Sequence, residues 1–217
     1  MSTGQISEPD SEKLLKKQQI ATKYKMTQSD YRISLINETR ESSFHCFGYQ
    51  YIFDKRAIHY NKLVNWLKVL GILVPALLGT LVITYNTNET IKSISIATLS
   101  VVTVIQFGFS VLAIIYKWDD ELSYSYEASQ SYNSLYRRFK NLANFPPIDD
   151  NELKKQFDLL DTENNARGQQ DSKHNLKEAE LRMGMRSSLR EHQRKCVGCA
   201  LIPKSMKSSE CDVCGNF

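Results

Sequence analysis

Four of the five cysteines fall in the last 22 residues of the 217-residue chain, as Cys196-Val-Gly-Cys199 and Cys211-Asp-Val-Cys214 with eleven residues between the pairs. Each C-x-x-C sets two thiolates on one tight turn. Two such turns can close a tetrahedral sulfur cage around Zn²⁺, with bonds of about 2.3 Å. Four thiolates leave the ion no open position, so the expected role is structural. A segment this short cannot bury a useful core, and the metal is expected to supply its folding free energy. Gly198 and Gly215 stand where the turns need backbone freedom, and Pro203 begins the excursion between the pairs. Iron in the same cage, and cysteines that are redox-active or idle, are the lesser alternatives. Structural disulfides do not suit a cytoplasmic tail, neither pair is followed by the His of a haem attachment site, and no βαβ pattern supports a thioredoxin-like role. Cys46 stands alone and is expected to be a small buried residue of a helix.

No other constellation carries chemistry. There is no P-loop, G-x-S-x-G elbow or H-E-x-x-H, and His45, His59, His174 and His192 are scattered, so neither an enzyme nor a small-molecule substrate is expected. The net charge of +4 is small for the length, which leaves any basic surface to local patterning. Such patterning exists just before the cysteines: Arg182, Arg186, Arg190 and Arg194 repeat every four residues, placing four guanidiniums along one face of a helix expected over 175–195. A solvated face is the plain reading. Anionic lipid headgroups are the alternative, and nucleic-acid phosphates a weaker one, since no aromatic residues interleave the stripe for base stacking.

The elements that must position this tail are bunched by hydropathy. Val69–Thr84 carries no charge, and neither does the 24-residue run Ser93–Tyr116. A bilayer core about 30 Å thick needs roughly 20 apolar residues, which the second run meets and the first meets if it reaches back to Leu63 with Lys68 snorkelling. The first run starts more than 60 residues in, so no removable leader is expected. The polar residues Asn86–Lys92 between the runs make an antiparallel hairpin. Its termini side carries Lys55, Arg56, Lys62, Lys68, Lys117, Arg137, Arg138 and Lys140 against one Lys92 in the loop, which places both termini in the cytoplasm. Trp66 and Trp118 belong at that same interface.

Helical periodicity continues on both sides of the hairpin. Phe44, Phe47, Tyr51, Ile52, Ile58 and Leu63 mark an amphipathic helix entering the first span, and Leu122, Tyr126, Tyr132, Leu135, Phe139 and Leu142 mark one leaving the second, until Pro146 and Pro147 stop it. A further helix is expected over 11–40, anchored by Leu14, Ile20, Tyr24, Tyr31 and Leu35. A short helix is expected over 149–160, and the Asn- and Gln-rich residues 161–172 read as a linker. The fold class is therefore all-α: a two-helix transmembrane hairpin with cytoplasmic helical extensions and a small C-terminal zinc-binding module. Its expected parts are 1–42 (N-terminal helical segment), 43–145 (hairpin and flanking helices), 146–172 (short helix and linker) and 173–217 (basic helix and cysteine module).

In the second run Ser93, Ser100, Thr103, Gln106 and Ser110 fall within an arc of roughly 140°. Several subunits around an axis could line a hydrated path with this face, and Gln106 is the costliest of the five to leave against lipid. Helix packing is the other reading, with Gly71, Pro75 and Gly79 forming a small-residue face to receive it.

This arrangement of flanking helix, two spans and an aromatic helix bearing Tyr124, Tyr126, Tyr132, Tyr136 and Phe139 resembles the SLATT domains, two-span effectors of bacterial conflict systems. The tail resembles a group of mobile-element proteins described by the spacing seen at Cys196, Cys199, Cys211 and Cys214. The resemblance implies an inner-membrane, multi-pass bacterial protein that homo-oligomerises in the lipid and opens a pore or damages the membrane in phage defence or abortive infection. A separate sensor protein, or the tail itself, would trigger it. The alternative is a non-conducting anchor whose zinc module binds a protein or nucleic-acid partner.

Overall fold

The computed structural model describes residues 8–84 and 89–217, with the side chains of 8–28, 78, 81, 82, 89–92 and 95 left out. The described residues form helices, turns and loops without a strand: α1 (Glu8–Thr84), α2 (Glu89–Ile115), α3 (Trp118–Asn144), α4 (Asp150–Asp171), a 3-10 turn (Ser172–His174) and α5 (Glu178–Glu191). The all-α expectation holds. The helices expected over 11–40 and from Phe44 onward are one helix, α1. Residues 86–88 of the expected hairpin loop, and the side chains of the anchors Leu14, Ile20 and Tyr24, lie outside the described part.

The chain divides into two compact units, one made of residues up to Cys46 with Ser134–Asn175, the other of Phe47–Asn133 with Leu176–Phe217. In the first, α4 buries Leu153, Phe157, Leu160, Arg167 and Asp171. These steps of three, four and seven keep one helix face turned inward along the whole element. Residues 161–172 are therefore helix, against the linker expectation. Polar groups simply take over the inner face: the Cys46 thiol donates to Asn164 Oδ1 at 3.4 Å, and Arg167 pairs with Asp171 at 3.3 Å with both side chains buried. The start of α4 is fixed by the Asp149 side chain, which accepts from Asn151 N, and by Arg32, whose guanidinium donates to Asp150 Oδ1, the Pro147 carbonyl and the Ile148 carbonyl. Phe139 of α3 meets Phe157 edge to face.

In the second unit, Tyr132 of α3 is almost wholly buried against two aromatic rings of α1, stacking on Tyr49 at 5.1 Å and on Phe53 at 5.9 Å. Tyr49 and Phe53 are four apart, so both project from the same α1 face. Ser125 and Ala128, fully buried, let α3 approach. Tyr126 and Ile58, expected on the apolar stripes, are exposed instead, because small Ser125 and Ala57 occupy the seam beside them.

Helix α5 runs antiparallel to α1: Glu180 lies against Arg56, Gly184 against Ile52 and Gly48, and His192 against Phe47. The crossing depends on two glycines. A Cβ on Gly184 would stand 2.6 Å from Ile52 Cδ1 and 2.9 Å from the Gly48 carbonyl oxygen, and one on Gly48 would stand 2.9 Å from Ser188 Oγ. Helix α2 is of another kind. Its segment Ile96–Ile115 is 20 residues long and apolar enough to cross a membrane, with almost none of it buried. The helix ends at Ile115, and Lys117 takes a left-handed φ of 49° in the turn before α3 begins.

Candidate metal centre

The cysteine pairs reach the end of α5 through a sharp stop. Gln193 adopts a left-handed φ of 50°, Arg194 N donates to the Leu189 carbonyl and Gln193 N to that of Arg190. These are the two bonds of a Schellman motif. Helix α5 therefore ends at Glu191, and Arg194 leaves the face it was expected to share with Arg182, Arg186 and Arg190.

Each pair then forms the same turn. Ala200 N donates to the Cys196 carbonyl and Gly215 N to the Cys211 carbonyl, both at 2.8 Å, closing a five-residue loop behind each C-x-x-C. Gly198 and Gly215 are needed for space: neither has a positive φ, but a Cβ on Gly198 would stand 2.8 Å from Val213 Cγ2, and one on Gly215 would clash with Ser209. The left-handed positions fall on Ala200 and Asn216 instead. Pro203 is buried in the excursion between the pairs.

The turns face each other. The four sulfurs of Cys196, Cys199, Cys211 and Cys214 all lie within 4.8 Å of one another, with Cys196 Sγ 3.9 Å from Cys211 Sγ and Cys199 Sγ 3.8 Å from Cys214 Sγ. Four sulfurs about 2.3 Å from a central ion in a tetrahedron are about 3.8 Å apart, so these two edges already match a Cys₄ metal site and the others lie within reach of it. The local electrostatics favour thiolate at one corner: backbone N–H groups of Cys214 and Val213 hold the Cys211 thiol down at about 7. Burial and then the neighbouring sulfurs push Cys214 up. Four adjacent thiolates need a cation to ionise together, and a soft divalent ion fits this donor set. All five cysteines are free thiols.

Arg186 closes the site from α5. Its buried guanidinium donates from Nε to the Ser205 carbonyl at 2.8 Å and from Nη1 to Ser209 Oγ and the Cys214 carbonyl, both at 3.1 Å, and Nη1 lies 3.9 Å from Cys214 Sγ. Arg182 pairs with Glu178 and donates to the Asn216 carbonyl. Two members of the arginine stripe thus turn onto the tail, leaving Arg190 and Arg194 exposed. For the buried Arg186, the expectation of a lipid- or partner-facing side chain gives way to this internal role. The signal that could have found it is the proximity of a regular arginine repeat to a thiolate cluster needing positive charge.

The five polar residues of α2 are not gathered in one environment. Ser93, Ser100 and Thr103 are exposed, while Gln106 and Ser110 are half-buried. The hydroxyls of Ser100, Thr103 and Ser110 donate to the carbonyls of Ile96, Leu99 and Gln106 one turn back. The Gln106 amide lies over Gly71, where an added Cβ would be 3.9 Å from Nε2. Arg56, missed as a site residue, binds Glu180 through two bonds, Nε to Oε1 at 2.7 Å and Nη2 to Oε2 at 2.8 Å. Glu180 also accepts from Lys177 N, capping α5. Burial alone would raise the Glu180 carboxyl, but the Arg56 and Lys177 bonds hold it below its ordinary value.

No curated protein and no solved structure matches the chain. A family model described as mobilome CxxCx(11)CxxC protein matches residues 36–217, which include the cysteine pairs, α5 and most of the helical scaffold. The chain belongs to the mobilome CxxCx(11)CxxC family.

Proposed function

We propose that this is a membrane-embedded protein of a bacterial mobile element, held by a hairpin of α1 and α2, that presents a zinc-organised tail on the cytoplasmic side. The observation carrying the reading is the exposure of Ile96–Ile115. A core helix of a soluble domain would be covered, whereas here Val104, Phe107, Ile114 and Ile115 are all more than half exposed. Such a continuous apolar surface calls for lipid or other copies of the chain. Among the described residues only Ile96–Ile115 is long and apolar enough to span, and the C-terminal part of α1 adds apolar surface beside it, with Trp66, Ile72 and Ile83 exposed. The approach of Gly71 to Gln106 supports an antiparallel hairpin between them. The cage geometry supports a Cys₄ ion, and Zn²⁺ is the ion we assign; it would be held by Cys196, Cys199, Cys211 and Cys214 and would supply folding energy, not catalysis.

The placement of Gln106 supports the anchor reading over the pore. The residue costliest to leave against lipid is directed to Gly71 of its own chain, and the hydroxyls of Ser100 and Thr103 donate within the helix. The mobile-element setting of the family supports a role in conflict between elements, with the tail as the part that meets a partner protein or a separate sensor. Exposed Ser100 and Thr103 favour a second reading, in which assembled hairpins conduct. The test is expression in bacteria, alkaline extraction of membranes and dye measurement of membrane potential. The anchor reading expects retention in the extracted pellet with the potential intact; release into the supernatant contradicts membrane embedding. A collapse of potential abolished by Thr103→Leu would establish the conducting reading instead.

A further inference from the structure

We infer that Arg186 is the positioning residue through which ion occupancy at the four cysteines fixes the tail onto α5. The inference rests on the metal reading above. Four thiolates around a divalent cation keep a net charge of about −2, and such charge near a protein interior needs a compensating partner. Arg186 supplies one: it is buried, projects from α5 and places Nη1 3.9 Å from Cys214 Sγ. The same guanidinium takes the Ser205 carbonyl and Ser209 Oγ, both in the eleven residues between the pairs, and the Cys214 carbonyl within the second pair. One side chain thereby ties the excursion and the second turn to α5 and answers the charge of the cage.

Occupancy is read through the same contacts. When the ion leaves, nothing draws the two cysteine turns together opposite the guanidinium. Ser205 and Ser209 lie between the turns and Cys214 within one of them, so the three contacts of the guanidinium weaken together as the turns separate. A lysine at this position would keep the charge but not the planar fork that reaches three acceptors at once.

The test uses the full chain in detergent, loaded with Co²⁺ and then titrated with Zn²⁺ against a chelator, with amide exchange followed over 205–216. Arg186→Met is expected to lower ion affinity by about 10–100-fold, the usual effect of losing an outer partner of a metal ligand, and to raise exchange over 205–216 in the loaded protein. Arg186→Lys is expected to recover part of the affinity and little of the protection. Affinity and exchange equal to wild type in Arg186→Met would overturn the inference, and so would lowered affinity with unchanged exchange. If Arg186→Met does not fold, Arg186→Lys decides: lost protection supports the inference and wild-type behaviour in both readouts overturns it. Absence of a sulfur-to-cobalt absorption band in the wild type would remove the metal reading and this inference with it.

Discussion

At the scale of single residues, the backbone at Gln193 and the thiol of Cys46 make the sharpest demands. Gln193 sits in a left-handed conformation that costs an ordinary L-residue about 1–2 kcal/mol and glycine little. Part of that gain is offset by the freedom glycine has in the unfolded chain. Gln193→Gly is expected to stabilise by up to about 1 kcal/mol, seen as a rise in Tm; a fall would contradict the Schellman assignment. Cys46 is buried, and burial pushes its thiol from 9.0 to about 12, so it stays protonated and donates to Asn164. Its contribution to stability is intact below 9 and is lost as pH rises from there towards 12, because the unfolded chain ionises first. With metal removed, a thiol reagent at pH 8 is expected to label four cysteines in the folded chain and the fifth only after denaturation. The burial of Cys46 was legible in the sequence, as a small apolar group on a helix. The turn at Gln193 was not, since glutamine gives no signal for a left-handed backbone, and the arginine stripe was accordingly drawn through Arg194.

At the scale of elements, the second unit rests on the Tyr132 stack, the glycine crossing and the Arg56–Glu180 pair. Tyr132→Ala empties a site between two rings and is expected to cost about 3–5 kcal/mol, measured by denaturant unfolding. The Glu180 carboxyl is held below its ordinary value of 4.5, so the native state binds its proton less readily than the unfolded chain. Its stabilisation is therefore present above that pH and is lost as pH falls through the lower native value. Thermal melts from pH 7 down to about 3 are expected to show a loss in wild type that Glu180→Gln, already weaker at pH 7, does not repeat. Equal acid sensitivity in both would contradict the assignment. Large apolar positions such as Phe44, Ile52, Leu135 and Phe139 were legible from period alone. The second half of α4 was not, because its inner face carries Asn164, which accepts from Cys46, and the paired Arg167 and Asp171, polar residues that in sequence mimic a solvated linker.

At the scale of the whole molecule, a long apolar helix left open to its surroundings coexists with a tail whose sulfurs already stand at metal-binding distances. Charge-free Ser93–Tyr116 announced the first feature and the C-x-x-C spacing the second; both depend on local pattern, which sequence carries well. How α5 reaches back to clamp the tail depends on contacts between residues far apart in the chain, Arg186 with Ser205 and Cys214 among them, and no local pattern encodes them. The most direct test is the metal content of the full chain purified from membranes under reducing conditions without added chelator. One zinc per chain, absent from a Cys199→Ser, Cys214→Ser double variant, is the predicted result. A metal-free wild-type protein whose tail is nonetheless protected from proteolysis would contradict it.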